Sequence, residues 1–167
     1  MRIKDIVIIG MMSALLLIVQ VGLGFLPNIE LVSLLIILYT LIFGRKTLYI
    51  IYVFVAMEGL LYGFGLWWFS YLYLWTILFI ITMIFRKERS SLFWAIISGA
   101  FGISFGALCS ILNIFLSGIP SAVAFWFSGI PFDILHGIGN YAIALMLFKP
   151  LYHLLNEVHK KYYSIPY

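Results

Sequence analysis

Leucine, isoleucine, valine and aromatic residues fill this chain in long blocks separated by short breaks, approximately 4–25, 29–43, 47–63, 67–85, 91–116 and 129–155. A helix that crosses a bilayer needs roughly 20 apolar residues, and six such segments use nearly the whole chain. Inside hydrocarbon the backbone groups have no water to bond, so the segments are expected to be helical. A barrel would need alternating polar and apolar positions, and runs such as Leu34-Leu35-Ile36-Ile37-Leu38 lack them. The pattern therefore predicts an all-α integral membrane protein: one transmembrane domain over 1–167 with six transmembrane helices. No internal repeat accompanies the blocks, which argues against an inverted-repeat carrier.

The breaks carry the polarity. All ten basic residues lie at the N-terminus (Arg2, Lys4), after the second block (Arg45, Lys46), after the fourth (Arg86, Lys87, Arg89), or near the end (Lys149, Lys160, Lys161). The other three connections, around Pro27–Glu30, Gly63–Trp67 and Ser117–Ser128, contain no Lys or Arg. Positive charge gathers on the cytoplasmic side of membrane proteins, so the expected topology is N-in/C-in, multi-pass, with both termini cytoplasmic. The first block is longer than the apolar core of a signal peptide and no small-residue cleavage site follows it, so it reads as a retained helix.

Composition agrees. Of 167 residues, 65% are hydrophobic and 10% charged, and the mean hydropathy is +1.14; a water-soluble domain needs more polar surface. The net charge of +4 is concentrated in the inner connections, where it orients a membrane protein and gives no reason to expect nucleic acid. The single cysteine, Cys109, excludes an intrachain disulfide and a thiolate-rich zinc site.

Charges at membrane depth are costly and usually face a cavity or a partner. Glu30 is placed at the outer mouth of the second helix and Glu58 near the outer end of the third. Asp133 begins the last block, where it would serve as an N-cap after Gly129-Ile130-Pro131. Asp133, His136 and Asn140, spaced i, i+3 and i+7, share one helix face. Many aromatic residues gather on the same outer side: Tyr62, Trp67, Trp68, Tyr71, Tyr73, Phe125, Trp126 and Phe127. An interfacial belt accounts for part of this; an outward pocket with a few converging polar groups accounts for the asymmetry. The candidate ligand-contacting set is Glu30, Glu58, Tyr62, Trp67, Trp68, Tyr71, Asn113, Trp126, Asp133, His136 and Asn140.

Small residues form a second pattern. Gly99, Gly102 and Gly106 on the fifth helix fit close internal packing, whereas Gly10, Ser13 and Ala14 on the first also fit a docking face for another subunit. Gly129-Ile130-Pro131 and Gly118-Ile119-Pro120 are expected to interrupt helix. Catalytic signals are weak. Gly44-Arg45-Lys46-Thr47 lacks the earlier glycine of a phosphate loop, there is no serine nucleophile elbow, and His136 is too isolated for a metal cluster. No catalytic residue and no metal ligand is assigned, so any ATP hydrolysis belongs to a different polypeptide.

The whole chain, in size, helix number, topology, outward aromatic pocket and small-residue face on helix one, resembles the substrate-binding S component of an energy-coupling factor (ECF) vitamin transporter. That family carries Ala-x-x-x-Ala on helix one for docking; here the site reads Gly10-Met11-Met12-Ser13-Ala14, with glycine in place of the first alanine. The segment from Gly129 to Asn140, followed by Phe148-Lys149-Pro150, also looks like the family's last helix. The resemblance implies an S-component-like bundle in a prokaryotic cell membrane, without an ATPase of its own. Its partners would be the ECF transmembrane coupling subunit and two ATPase subunits. It would bind no covalent cofactor, and its ligand would be a vitamin taken from outside and delivered by toppling. Over Pro27–Tyr39 and Glu58–Trp75 the chain is most similar to cobalamin-type members, so cobalamin is the favoured ligand. Riboflavin, thiamine, folate and a queuosine-like base also suit an aromatic pocket with carboxylates. Competing expectations are a secondary carrier or channel subunit using Glu58 and Asp133, and an intramembrane enzyme with Asp133 and His136 as acid and base.

Overall fold

In the computed structural model, which describes residues 3–164, the chain is helical nearly throughout and has no strand among the described residues. The elements are α1 (Ile3–Leu23), α2 (Val32–Phe43), a 3₁₀ turn (Gly44–Lys46), α3 (Thr47–Tyr62), α4 (Leu66–Ile84) and α5 (Ser91–Ser164). Helix α5 is not one rod: Gly118, at φ 82° and ψ 171°, breaks it into a proximal arm, 91–117, and a distal arm, 119–164. Only glycine reaches that backbone state without strain. Four helical runs are long and apolar enough to cross a membrane: Ile3–Leu23, Val32–Tyr62, Leu66–Ile84 and Ser91–Ser164. Side chains such as Leu60 and Phe115 are exposed by 77% and 81% on the flanks, a surface compatible with a multi-pass membrane bundle and not with water.

Helix α2 is the axis of the bundle. Val32 to Thr40 are nine consecutive buried residues, the signature of a helix covered on all sides. It packs on α4 and α5, while α1 lies chiefly against α3. The two arms of α5 form an antiparallel hairpin whose crossing is set by glycine. A Cβ on Gly102 would lie 2.9 Å from Gly137 Cα, and one on Gly137 would lie 2.9 Å from the Gly99 carbonyl oxygen. The small residues of the proximal arm are thus spent on internal packing, backbone against backbone.

Three sequence expectations need correction. The second helix begins at Val32 rather than 29, because the Pro27-Asn28 turn, with Asn28 at φ 60°, runs on to Leu31. The connection expected over 117–128 is helical apart from Gly118. Pro120 falls in the first turn of the distal arm, where its missing N–H forfeits no ladder bond, and Pro131 and Pro150 lie inside the helix. The distal arm continues to Ser164 rather than ending at 155.

The two ends of the bundle differ in chemistry. At one end, Lys46 Nζ lies 2.6 Å from Asp5 Oδ1, Tyr163 donates to the same oxygen at 2.7 Å, and Arg89 sits over the Tyr152 ring at 5.5 Å. These contacts bring together the start of α1, the α2–α3 turn, the α4–α5 connection and the end of the distal arm. Arg2 lies outside the described residues. The opposite end, holding the Pro27–Glu30 turn, Gly63 and Gly118, has no lysine or arginine among the described residues.

Candidate functional site

Three adjoining cavities open at the end away from the basic cluster, and Tyr71 lines all three. Helix α4 builds their common wall: Trp67, Tyr71 and Trp75 recur every four residues and so share one face. Trp67 and Tyr71 meet at 5.2 Å between centroids, and Tyr71 and Trp75 at 5.4 Å. From the proximal arm, Phe105 reaches both Tyr71 (6.4 Å) and Trp75 (5.9 Å). Phe105 in turn packs edge-on against His136 of the distal arm at 4.9 Å.

The first cavity, about 260 Å³, is bounded by the α1–α2 turn and by Glu30, Asp133 and His136. Glu30 closes the first turn of α2, accepting the Ser33 backbone N–H at 2.8 Å through Oε2. Its Oε1 faces His136 Nε2 at 3.4 Å. Asp133 Oδ1 accepts the Gly106 N–H at 2.9 Å across the hairpin, while its Oδ2 has no partner. A Cβ on Gly106 would collide with this carboxylate, so the glycine is what admits it. Asp133 therefore lies in mid-helix and is not the N-cap expected from sequence.

The second cavity, about 430 Å³, lies between α4 and the hairpin and includes Trp67, Ser70, Cys109, Asn113 and Phe125. The third, about 240 Å³, lies between α1, α3 and α4 and is lined by Gln20, Gly24, Glu58, Tyr62, Trp67 and Tyr71. Glu58 is 2% exposed and its Oε1 has no hydrogen-bond partner.

Eight members of the sequence-derived set thus line these cavities: Glu30, Glu58, Tyr62, Trp67, Tyr71, Asn113, Asp133 and His136. Three do not. Trp68 turns to α3, where its indole N–H donates to the Val55 carbonyl at 2.8 Å. Trp126 is 38% exposed and pairs with Phe127 at 5.6 Å; its neighbour Phe125 reaches the second cavity instead. Asn140 is buried one turn further along, donating to Ser33 Oγ at 3.2 Å, and ties the distal arm to α2. Gln20, Trp75 and Phe105 line the cavities without having been singled out from sequence, and Phe125, named only among the outer aromatic residues, joins them. Gln20 carried a signal, an amide inside the first apolar block.

The expected docking trio also divides. Ser13 is buried, its hydroxyl 2.8 Å from the Ile9 carbonyl and 2.9 Å from that of Ile50, so it fastens α1 to α3. Gly10 is exposed with open space around it, and Ala14 is half-buried. No group of three metal-ligating side chains occurs among the described residues. No protein-family model, curated protein or solved structure matches the chain.

Proposed function

We propose that this chain is the membrane-embedded substrate-binding S component of an ECF-type importer, capturing a vitamin from outside. One observation carries the reading: three cavities walled by aromatic rings, two of them edged by carboxylates, meet at Tyr71, at the end opposite the basic cluster. With the basic end cytoplasmic, the cavities face outward and both termini face inward. The chain then crosses six times, counting α2 and α3 separately about the turn at Gly44 and the two arms of α5 separately about Gly118. The open face of α1 around Gly10, with Ile6, Met11 and Ile18 exposed beside it, is the surface offered to the coupling subunit, which brings the two ATPases. Cobalamin is favoured on the resemblance, with riboflavin, thiamine, folate and a queuosine-like base as alternatives. Two of the cavities, about 260 and 240 Å³, fall below the usual range of about 300–1,000 Å³ for small-ligand pockets and the third, about 430 Å³, lies in its lower part, so a corrinoid needs more room than any one of them offers.

A secondary carrier or channel subunit is the second reading, favoured by the unpartnered oxygens of Glu58 and Asp133 beside the cavities. Reconstitution in proteoliposomes separates the two. The S-component reading predicts vitamin uptake only when the coupling subunit, both ATPases and ATP are present. Uptake by the purified chain alone, driven by an ion gradient, would contradict it.

A further inference from the structure

The charges around the cavities are one-sided. Glu30, Glu58 and Asp133 line them, and no lysine or arginine among the described residues does. Two of these carboxylates already have protein partners: Glu30 has the Ser33 N–H and His136, and Asp133 has the Gly106 N–H on one of its two oxygens. Glu58 is different. It is almost wholly buried in α3, its Oε1 is without a partner, and it borders a cavity of about 240 Å³. A buried carboxylate is costly unless something pairs with it.

The walls of that cavity indicate the partner. Trp67 and Tyr71 stand nearly perpendicular, at 84° and 5.2 Å, and Tyr62 closes a third side. Aromatic faces carry negative potential and attract cations, most strongly where water is excluded. A bare metal ion fits poorly, since it would want a cage of oxygen ligands and no three ligating side chains converge there among the described residues. An anion would meet the Glu58 carboxylate and, among the described residues that line the cavity, no lysine, arginine or histidine.

We propose that Glu58, Tyr62, Trp67 and Tyr71 form a binding site for a positively charged nitrogen group on an organic ligand, an amine, amidinium or quaternary ring nitrogen. This deepens the vitamin-binding reading and, for the transported ligand, rests on it. Among the ligands considered, thiamine and an amine-bearing queuosine-like base carry such a group and folate carries the opposite charge, so this site favours the first two over the cobalamin that the resemblance favours.

The test is calorimetric titration of the purified chain and of Glu58→Gln with thiamine, benzyltrimethylammonium and folate. The proposal expects saturable binding of the two cations and none of folate. Glu58→Gln should weaken cation binding about tenfold or more, while its thermal midpoint without ligand equals or exceeds that of the parent. Binding of folate alone, cation affinity unchanged in Glu58→Gln, or no binding of either cation would overturn the proposal. The two claims fail separately. ATP-dependent uptake of an anionic vitamin removes the Glu58 site and leaves the transport reading. Cation binding that Glu58→Gln abolishes, in a chain that supports no ATP-dependent uptake, does the reverse.

Discussion

Trp67 and Trp68 are neighbours with opposite tasks. One helical step turns a side chain by about 100°, which sends Trp67 into the cavities and Trp68 to the Val55 carbonyl of α3. Trp68→Phe should therefore cost about 0.5–1.5 kcal/mol of stability through the lost hydrogen bond and leave ligand affinity within twofold. Trp67→Ala should weaken binding about tenfold or more, and paired thermal melts and titrations distinguish the two. Glu58, Asp133 and His136 were legible in the sequence because ionisable groups at membrane depth need a reason to be there. The choice between Trp67 and Trp68 was not, because α4 is apolar on every side and no polar stripe marks its inward face. Asp133 misled as an N-cap because what fixes it, the Gly106 N–H, lies 27 residues away across the hairpin.

Among the elements, the hairpin of α5 depends on two glycine properties. Gly118 supplies the backbone reversal and Gly102 the closeness of the arms. Gly102→Leu would drive a side chain into the Gly137 backbone and should cost at least about 1–3 kcal/mol, the usual range for overpacking, read as a lower melting midpoint in detergent. The breaker signal at Pro120 overstated the loop because a proline in a first turn removes no ladder bond; Pro131 does forfeit one, yet the helix continues through it. The other end of the distal arm is tied down by Asp5, Lys46 and Tyr163, with His159 packed against Phe43 at 5.2 Å and Tyr163 at 4.7 Å. The Asp5 hydrogen bond holds Lys46 above its ordinary value of 10.5, so its contribution is present below that pH and lost as pH rises past it. Burial, with Lys46 nearby, holds His159 below 6.5, so its contribution is present above 6.5 and lost as pH falls. Hydrogen exchange over 157–164 should accordingly be slowest between pH 6.5 and 10.5 after correction for intrinsic rates. Asp5→Asn should speed it throughout, and a flat profile insensitive to that change would contradict the tether.

At the scale of the molecule, hydrophobic blocks and charged connections made an all-helical fold with helices long and apolar enough to cross a membrane legible, since a bilayer would leave the backbone few choices. The seating of helices around α2 was not legible, because lipid and protein interior select the same apolar side chains. One outer face of α1 stays open: Gly10 has no atom near its missing Cβ, and Ile6, Met11 and Ile18 are exposed around it. Gly10→Leu should therefore fold and bind ligand normally while losing co-purification with the coupling subunit; retained association would remove helix one as the docking face. The central claim, that this chain captures a vitamin by itself, is tested most directly by titrating the purified protein with a vitamin panel, cobalamin and thiamine first. Tryptophan fluorescence would report binding, with calorimetry for ligands that absorb. The account predicts tight, saturable, one-site binding of one vitamin in the absence of any ATPase. Folded protein that binds none of them would contradict it.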